Sequence, residues 1–337
     1  MKKVRVAING FGRIGRAFVR QAWDRKEIEL VAINDLGSLE NLAYLLKHDT
    51  VYKQAPFNVA VQDGSLLIYG TEVKFLSEKD PSALPWKELE VDVVIESTGV
   101  FDDYEKARAH ITAGARRVVI SAPVKDDTGG ATVLMGLNEN RLSTCEVSSN
   151  ASCTTVSASP VVAILDEALG IEKAILSTIH AYTATQSLVD SPAKGADMRR
   201  GRAAAQNIVP SSTGSAIAVT KAYEPLANKF DGIALRVPVV AGSLSDITFI
   251  AKRATTVEEV NDILLKAGQD PRWKGLFTTT SEQLVSSDIL GDTHGSIAQL
   301  DMTRVVDGTL VKVLAWYDNE AGYTHTLVEH AIKAGNA

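Results

Sequence analysis

The sequence contains little cysteine, and this scarcity excludes several classes of protein. Only Cys145 and Cys153 occur among its 337 residues, so a secreted disulfide scaffold and a zinc site built from four cysteines are both excluded. A disulfide between the two thiols would be possible, but a reducing compartment is the simpler interpretation. We therefore expect a cytoplasmic protein without a bound metal, in which either thiol could be a nucleophile.

The sequence also lacks an excess of charge of one sign and any long apolar run. Its 35 basic and 41 acidic residues give a net charge of −6, which argues against the positive field of a dedicated nucleic-acid-binding protein. No apolar run reaches the roughly 18 residues of a membrane-spanning helix, and the N-terminus shows no signal-peptide pattern. The composition, 45% hydrophobic and 23% charged, is that of a globular chain, and domains of about 100–200 residues predict two of them. Neither a membrane nor a nucleic acid is expected as the main partner.

The first half of the chain alternates short β-branched runs with amphipathic segments. Strands that are apolar on both faces and alternate with helices are typical of a parallel sheet covered by helices. We therefore predict an α/β domain over residues 1–150. The predicted strands are residues 4–8, 28–33, 91–95, 117–120 and 132–135, and the predicted helices are residues 12–23, 39–46 and 104–113.

The second half has longer alternating strands, which predict an α+β domain with a mainly antiparallel sheet. Residues 187–216 are rich in Gly, Ser and Arg and have little periodicity, so we expect a long functional loop there. The predicted strands are residues 174–182, 233–237, 244–251, 283–287 and 309–316, and the predicted helices are residues 160–169, with proline in the first turn, and 257–267.

Residues 10–15, GFGRIG, form a G-x-G-x-x-G pattern between the first predicted strand and the first predicted helix, and Asp35 follows the second strand 20 residues after the last glycine. In this context the glycines let the backbone approach a pyrophosphate at the helix N-terminus, and the acidic residue accepts hydrogen bonds from a ribose. The charge of Asp35 would repel a 2′-phosphate, which favours NAD over NADP. The alternative is a structural turn in which Asp35 caps the next helix.

Cys153 lies in the segment SNASCTT, between a predicted strand and the helix that follows. Ser, Asn and Thr are capping residues, so Cys153 is expected at a helix N-terminus, where the dipole favours the thiolate and lowers its pKa. A lone cysteine is more often a small buried apolar residue. That interpretation suits Cys145, near a predicted strand at residues 144–148, and it does not suit Cys153.

A nucleophilic thiol needs a base, and the sequence offers six histidines. His180 ends an apolar strand of the second domain, and strand ends often carry catalytic groups, so His180 is a candidate base. His110 and His330 fall within helical patterns and are expected to be solvated. Distances from Cys153 cannot be obtained from the sequence, so the choice of base stays open at this point.

At these residues the sequence resembles the glyceraldehyde-3-phosphate dehydrogenase family of the phosphorylating type, nearly from end to end. The shared segments are INGFGRIGR (8–16), INDL (33–36), ESTGVF (96–101), SAPVKD (121–126), SNASCTT (149–155), HAYTATQ (180–186), RAAAQNIVPSSTG (202–214), LRVP (235–238) and YDNEAGY (317–323). The resemblance implies a Rossmann NAD-binding domain over residues 1–150, on which a C-terminal helix of about residues 319–337 packs, and a catalytic domain over residues 151–318.

The resemblance also implies the chemistry and its residues. Cys153 would attack the aldehyde to form a thiohemiacetal, His180 would be the general base, and loss of hydride to NAD would leave a thioester that inorganic phosphate cleaves. His180 and the Cys153 N–H would hold the oxyanion. The implied cofactor residues are Gly10, Phe11, Gly12, Arg13, Ile14, Gly15, Asp35, Thr98, Gly99, Ser121, Asn319 and Tyr323. The implied substrate and phosphate residues are Ser152, Thr154, Thr183, Arg199, Thr213, Gly214 and Arg236.

Further expectations follow from the same resemblance. The segment 187–216 would cross to a neighbouring subunit, so a homotetramer is expected, and Pro192 with Leu36 matches the NAD-using pattern. The run of arginines at residues 199–202 could instead be a solvated charge run or a nucleic-acid patch.

The sequence departs from the family at three positions. Val156 stands where an asparagine is usual and cannot make the hydrogen bonds of an amide, Ser157 stands where many relatives have a second cysteine, and Ala321 replaces a tryptophan. The loss of that ring near Asn319 bears on nicotinamide binding, whereas the chemistry at Cys153 should be retained. Alternatives are a related aldehyde dehydrogenase, such as one for erythrose 4-phosphate, and a regulatory thiol or RNA-binding protein on an inactive scaffold.

Overall fold

The computed structural model describes residues 3–126, 128–193 and 195–337. Met1, Lys2, Asp127 and Lys194, which belong to the predicted first domain and the predicted loop, lie outside the described residues. The chain folds into two compact units. The first runs to Ala151 and includes Thr324–Ala337, and the second is Ser152–Tyr323. Within the described residues, no helix is both long and apolar enough to cross a membrane.

The first unit combines a sheet with short helices. Its strands are β1 (Val4–Asn9), β2 (Ile28–Asn34), β3 (His48–Asp49), β4 (Lys53–Gln54), β5 (Val59–Gln62), β6 (Ser65–Ile68), β7 (Thr71–Leu76), β8 (Val93–Glu96), β9 (Arg117–Ile120), β10 (Ala131–Thr132) and β11 (Val147–Ser149). Its helices are α1 (Arg13–Ala22), α2 (Leu39–Lys47), α3 (Tyr104–Ala107) and α4 (Ala109–Thr112), with 3-10 turns at Pro81–Ala83 and Glu139–Thr144.

The main sheet of this unit has the strand order β10-β11-β9-β8-β1-β2-β7-β6-β5. Pairing is parallel from β10 to β7, and the order reverses between β1 and β8, which is the switch point where doubly wound folds bind their ligands. The predicted Rossmann domain with a parallel sheet is therefore confirmed. The antiparallel edge β5–β7 was not predicted, although the dipeptide Asp63-Gly64, with both φ angles positive, is a typical hairpin turn.

The second unit is built from α5 (Cys153–Leu169), α6 (Ser215–Ala222) and α7 (Val257–Ala267) with a second sheet. Its strands are β12 (Ile171–Ala181), β13 (Val209–Ser212), β14 (Phe230–Val237), β15 (Ser243–Ala251), β16 (Phe277–Thr280), β17 (Ser296–Val306) and β18 (Leu310–Tyr317). Short 3-10 turns lie at Met198–Gly201, Ala204–Gln206, Glu224–Leu226 and Pro271–Trp273, and the C-terminal helix α8 is Ala321–Asn336.

The sheet of the second unit has the order β13-β14-β12-β15-β18-β17-β16. Only the pairs β12–β14 and β16–β17 are parallel among its described strands, so the prediction of a mainly antiparallel sheet is confirmed. The predicted strand at residues 283–287 is wrong. The N–H of Val285 donates to the Asp288 carboxylate at 2.7 Å, which closes a turn there, and the sheet is completed by β16 and β17.

The helix predicted at residues 160–169 is longer than expected, because it begins at Cys153 and Pro160 lies in its interior. Nearly all of α5 is buried, so it has no polar face to give an amphipathic signal. A proline removes the hydrogen bond to the carbonyl four residues earlier. In α5 that carbonyl belongs to Val156, and the Ser159 hydroxyl donates to it at 3.3 Å.

Three other predictions of local structure need correction. The strand predicted at residues 132–135 ends at Thr132, because Asn138 bonds both the Thr132 carbonyl and the Leu134 N–H at 2.9 Å. The helix predicted at residues 104–113 is two short helices, α3 and α4. The segment 187–216 is not without structure, since it contains two 3-10 turns and β13 and reaches into α6.

Candidate active site

The glycine-rich turn follows β1 and leads into α1, with Gly12 as the N-cap of the helix. Gly10 has φ +94°, and a Cβ there would lie 2.6 Å from the Thr98 nitrogen, so only glycine fits. A Cβ on Gly12, in contrast, would meet no atom of the described protein within 4 Å. Because Gly12 lines a cavity, its missing side chain leaves room for a ligand at the helix N-terminus.

That cavity has a volume of about 370 Å³ and lies at the carboxyl ends of β1, β2 and β8. Asp35 closes one side: its carboxylate accepts from the Phe11 N–H at 2.6 Å and from the Gly37 N–H at 2.8 Å. Helix α2 is capped by Ser38, so the alternative in which Asp35 is merely its cap is wrong. The cavity suits a dinucleotide. Its lining residues are Asn9, Gly10, Gly12, Asn34, Asp35, Leu36, Glu78, Lys79, Ser97, Thr98, Val100 and Phe101.

The other predicted cofactor residues are placed as follows. Arg13 and Ile14 open α1, and the Arg13 side chain bonds to the Asp49 carboxylate. Gly15 touches the Gly10 carbonyl so closely that a Cβ would lie 2.3 Å from it. Gly99 has φ +71°, and Ser121 follows β9. In the second unit Asn319 and Tyr323 are buried, and the side-chain amide oxygen of Asn319 (Oδ1) accepts from the Gly242 N–H at 3.0 Å.

Cys153 is the first residue of α5, and Ser152 is its N-cap, accepting from the Thr155 N–H at 3.1 Å. The Cys153 Sγ lies 3.3 Å from the Nε2 of His180. The structure therefore brings the two residues together as a thiol–imidazole pair. Cys145 lies outside this site: it is half-buried in the first unit, and its Sγ donates to the Arg141 carbonyl at 3.3 Å.

His180 and Arg236 are register partners on the parallel strands β12 and β14, so their side chains lie side by side. The Nη1 of Arg236 lies 2.7 Å from the Nδ1 of His180, and the Ala181 carbonyl lies 2.7 Å from the same nitrogen. A carbonyl only accepts. Two tautomers of His180 are therefore possible. If Nδ1 carries the hydrogen and donates to Ala181, Nε2 is free to take a proton from the thiol. If Nδ1 instead accepts from Arg236, the hydrogen lies on Nε2.

Burial raises the pKa of the Cys153 thiol above its ordinary value, although the Arg236 guanidinium acts in the opposite direction. Burial, followed by the charge of Arg236, lowers the pKa of His180 to about 3. Both shifts favour a neutral thiol beside a neutral imidazole. The expected lowering of the thiol pKa is thus wrong, because burial outweighs the helix N-terminus and the guanidinium.

Tyr317 packs against His180 of this pair, a role that was not predicted from the sequence. Its hydroxyl lies 2.7 Å from the Thr154 hydroxyl and 2.7 Å from the Thr178 hydroxyl. Its ring meets the His180 imidazole edge to face at 6.0 Å between centroids. The Thr154 side chain is therefore engaged and buried, so its hydroxyl is turned to Tyr317 rather than offered to an anion.

Two helix N-termini meet beside Cys153. The Ser215 hydroxyl, at the first position of α6, lies 2.9 Å from the Ser152 hydroxyl and accepts from the Thr213 hydroxyl at 2.8 Å. Gly214 is the N-cap of α6. Predicted residues Ser152, Thr213 and Gly214 therefore lie together, joined by Ser215, which the sequence analysis missed. Helix N-termini with hydroxyl groups suit an anion.

Of the arginines at residues 199–202, Arg200 lies near Arg236, whereas Arg199 was expected there. Arg199 is exposed and pairs with Asp197 at 2.7 Å. The Arg200 guanidinium instead donates to the Ser211 hydroxyl at 2.9 Å and lies near Thr185, whose hydroxyl bonds Thr183 at 3.0 Å. Burial and the charge of Arg200 lower the pKa of Arg236. Thr183, Arg200 and Arg236 thus form the second group of potential anion ligands.

The positions that depart from the family pattern are accommodated within the second unit. Val156 and Ala321 are buried, and the Ala321 N–H donates to the Asp318 carboxylate at 3.0 Å. The Ser157 hydroxyl lies 3.1 Å from the Ser245 hydroxyl. With these three residues present, Cys153 and His180 are still in contact.

A Rossmann unit and a thiol–imidazole site on one chain define an NAD-dependent oxidoreductase. Residues 4–104 match the model of the glyceraldehyde 3-phosphate dehydrogenase NAD binding domain, and residues 152–319 match that of the C-terminal domain of the same enzyme family. The chain is 48% identical over 328 residues to glyceraldehyde-3-phosphate dehydrogenase of Thermotoga maritima, covering 96% of this chain and 97% of that one. It is 45% identical over 336 residues to glyceraldehyde-3-phosphate dehydrogenase 1 of Streptomyces avermitilis, with 99% of each chain covered. The chain belongs to the glyceraldehyde-3-phosphate dehydrogenase family.

Proposed function

We propose that this protein catalyses the NAD-dependent oxidative phosphorylation of glyceraldehyde 3-phosphate to 1,3-bisphosphoglycerate. The observation that carries the proposal is the 3.3 Å contact between the Cys153 Sγ and the His180 Nε2 at the N-terminus of α5, with Arg236 against the same imidazole. A nucleophile, a base within reach of it and a fixed cation beside both are what acyl transfer through a thiol needs.

The first step is attack of the Cys153 sulfur on the aldehyde carbon. Because thiol and imidazole are both neutral before reaction, His180 takes the thiol proton as the C–S bond forms and delivers it to the aldehyde oxygen, which gives a thiohemiacetal. The Cys153 N–H, at the start of α5, is free of an intrahelical acceptor by its position and would donate to that oxygen.

The second step converts the thiohemiacetal into a thioester. Bound NAD supplies a hydride acceptor, and the carbon becomes a carbonyl when the hydride leaves. His180 takes the hydroxyl proton in the same step and later releases that proton to solvent, which returns the imidazole to its neutral form. An oxygen of HPO₄²⁻ then attacks the thioester carbonyl, and the Cys153 sulfur leaves as a thiolate. His180 passes the proton of the attacking phosphate to that sulfur, which yields the acyl phosphate and restores the thiol.

The two groups of polar residues suit the two phosphates that this reaction requires. We assign Ser152, Thr213 and Gly214, with Ser215, to the attacking phosphate, since the N-termini of α5 and α6 meet there. Thr183, Arg200 and Arg236 would bind the phosphate of the substrate. Arg200 takes the role that the sequence analysis gave to Arg199, because Arg199 is turned towards Asp197.

A homotetramer and a cytoplasmic location are part of the proposal. The segment 187–216 supports the homotetramer, because it leaves several large apolar side chains exposed to a degree that suits burial against another subunit. These are Leu188, Val189, Met198 and Ile208, between 68% and 84% exposed. Light scattering after size exclusion would contradict the homotetramer if it gave the mass of a single chain.

Initial rates of NADH formation test the proposed activity. Glyceraldehyde 3-phosphate and erythrose 4-phosphate are each supplied with and without inorganic phosphate. We expect rapid turnover only with glyceraldehyde 3-phosphate and phosphate together. Turnover of erythrose 4-phosphate without phosphate would favour the related hydrolytic dehydrogenase. If the folded protein forms no NADH with any of these combinations, an inactive regulatory scaffold would be favoured.

A further inference from the structure

Glu96 ends β8 directly before the cavity, and its side chain is 2% exposed. One carboxylate oxygen accepts from the Thr98 N–H at 2.8 Å and from the Thr98 hydroxyl. The other accepts from the Asn9 amide at 2.6 Å and lies 3.0 Å from the His110 Nε2. The reaction described above makes no use of this buried acid.

The proton on His110 can be assigned from its neighbours. The Trp86 indole N–H, which can only donate, points at the His110 Nδ1 at 2.9 Å. Nδ1 must then accept, so Nε2 carries the hydrogen and donates to Glu96. His110 is 0% exposed, so the expectation that it is solvated is wrong. All four contacts of the Glu96 carboxylate therefore come from donors, two on each oxygen.

This carboxylate ties together two neighbouring turns that line the cavity. Asn9 precedes Gly10 of the glycine-rich turn after β1, and Thr98 begins the turn after the adjacent strand β8. The two turns are in close contact, since a Cβ on Gly10 would lie 2.6 Å from the Thr98 nitrogen. The Thr98 hydroxyl in turn accepts from the Val100 N–H at 3.1 Å. A small displacement of Glu96 would therefore change the spacing of these two turns, which both line the cavity.

We propose that Glu96 is a positioning residue for the cofactor, which sets the spacing between the glycine-rich turn and the turn at Thr98. The proposal rests on the proposed function only in taking NAD as the ligand of this cavity. A glutamine in place of Glu96 has nearly the same shape, but one of its terminal atoms is an NH₂ group. In either orientation that group faces donors: Thr98 on one side, Asn9 and His110 on the other. The turn at Thr98 or the glycine-rich turn must shift to relieve this donor–donor contact.

The decisive variant is Glu96→Gln, with NAD and ADP-ribose titrated calorimetrically and steady-state rates measured alongside. We expect the Kd for both ligands and the KM for NAD to rise about tenfold, the loss typical of a buried donor–donor contact. The kcat at saturating NAD should stay within about twofold, because the reacting groups at Cys153 are unchanged. A variant that is merely less stable would lose active enzyme and so lower kcat without raising KM.

Asp92→Asn is the matched control. Asp92 is a buried carboxylate of the same unit, bonded to the Arg5 N–H at 3.0 Å and to Arg116 at 2.8 Å, and it does not line the cavity. Its replacement should leave the Kd for NAD unchanged. Wild-type protein that does not bind NAD would overturn the proposed function, whereas wild type and Glu96→Gln binding NAD equally would overturn only the role of Glu96.

Trp86→Phe provides a second test should Glu96→Gln fail to fold. It removes the N–H that fixes the His110 tautomer and leaves Glu96 in place. We expect a rise of about threefold in the Kd for NAD, and a double variant no weaker than Glu96→Gln alone, because the two changes act through one network. An unchanged Kd in Trp86→Phe, or fully additive losses in the double variant, would contradict the network.

Discussion

The Nη1 of Arg236 and the carbonyl oxygen of Ala181 compete for one nitrogen, the Nδ1 of His180, each at 2.7 Å. Only the tautomer that donates from Nδ1 to Ala181 leaves Nε2 able to take the thiol proton. An anion that draws the Arg236 guanidinium away from Nδ1 would favour that tautomer, so substrate binding and activation of the base are linked at this residue.

Removal of Arg236 has two opposing effects on the pair: it frees the Nδ1 of His180 to donate to Ala181, and it removes the positive charge that favours the thiolate. Alkylation of the thiolate reports the second effect, which we expect to dominate. In Arg236→Ala the thiol pKa should rise further, because Arg236 now lowers it, and the pKa of His180 should move up from about 3. Alkylation of Cys153 by iodoacetamide at pH 7 should slow about tenfold, since fewer thiolates form. The KM for glyceraldehyde 3-phosphate should rise more than that for unphosphorylated glyceraldehyde. Arg253 is exposed and forms an ion pair with Glu259, so Arg253→Ala is the control. It should change neither the alkylation rate of Cys153 nor the KM for glyceraldehyde 3-phosphate.

Replacement of the base should act on the chemistry. His180→Asn should lower kcat by about 10² to 10⁴, the range typical of a lost general base, and should slow alkylation of Cys153 at neutral pH. Both rates are to be measured on the same preparation. An alkylation rate equal to that of wild type would refute the pairing of His180 with the thiol.

The neighbouring arginines allow a comparison between adjacent residues. Arg200→Ala should raise the KM for glyceraldehyde 3-phosphate about tenfold or more, as expected for the loss of a charged ligand to a phosphate. Arg199→Ala removes an exposed ion pair with Asp197, and such pairs contribute little. The opposite ranking of the two KM values would restore the role that the sequence analysis gave to Arg199.

Asp35 should govern the choice of dinucleotide. Asp35→Ala removes the carboxylate that would repel a 2′-phosphate, so the ratio of kcat/KM for NAD to that for NADP should fall about tenfold or more. The loss of the bond to the Phe11 N–H should also raise the KM for NAD. Unchanged selectivity would mean that Asp35 does not face the ribose.

His330 should make the protein sensitive to acid. Burial, followed by the charge of Lys333, lowers its pKa to about 3, and the ring lies 2.8 Å from the Ser148 hydroxyl and 3.1 Å from the Asn150 amide oxygen. Below the unfolded-state pKa near 6.5 the unfolded chain binds a proton that the native ring does not, so stability falls between about pH 6.5 and 3.

His330→Gln should remove this one-proton contribution, which is about 1.4 kcal/mol per pH unit. Urea unfolding of wild type and variant at pH 7 and pH 5, at one protein concentration, measures it. An identical loss of stability in both proteins on acidification would show that His330 does not contribute.

The parts of the site that the sequence predicted are those fixed by local chemistry. The glycine-rich turn, the capped start of α5 at Cys153 and the acidic residue after β2 each have a short-range physical reason. The anion-binding role of Arg199 came from the family resemblance alone. Neighbouring residues of the 3-10 turn at Met198–Gly201 point in different directions, and no periodicity indicates which arginine faces Ser211. Ser215 and Tyr317 act through partners far along the chain, which a single sequence does not reveal.

The errors on burial have a related cause. His110 and His330 carry polar side chains in helical patterns, which suggests solvent, yet each finds hydrogen-bond partners inside the first unit. Buried polar groups are stable where such partners exist, and the partners of His110, Glu96 and Trp86, lie 14 and 24 residues away. The start of α5 was predicted seven residues too late, at residue 160 instead of Cys153, because a helix buried on all sides has no amphipathic pattern.

The most direct test of the central claim is to trap the covalent intermediate on Cys153. The enzyme is mixed with glyceraldehyde 3-phosphate and NAD without inorganic phosphate, quenched in acid and examined by peptide mass spectrometry. We expect one acyl group per chain on the peptide that contains Cys153, and its release as an acyl phosphate when phosphate is added before the quench. An acyl group on Cys145, or no adduct during a burst of NADH, would contradict the role of Cys153.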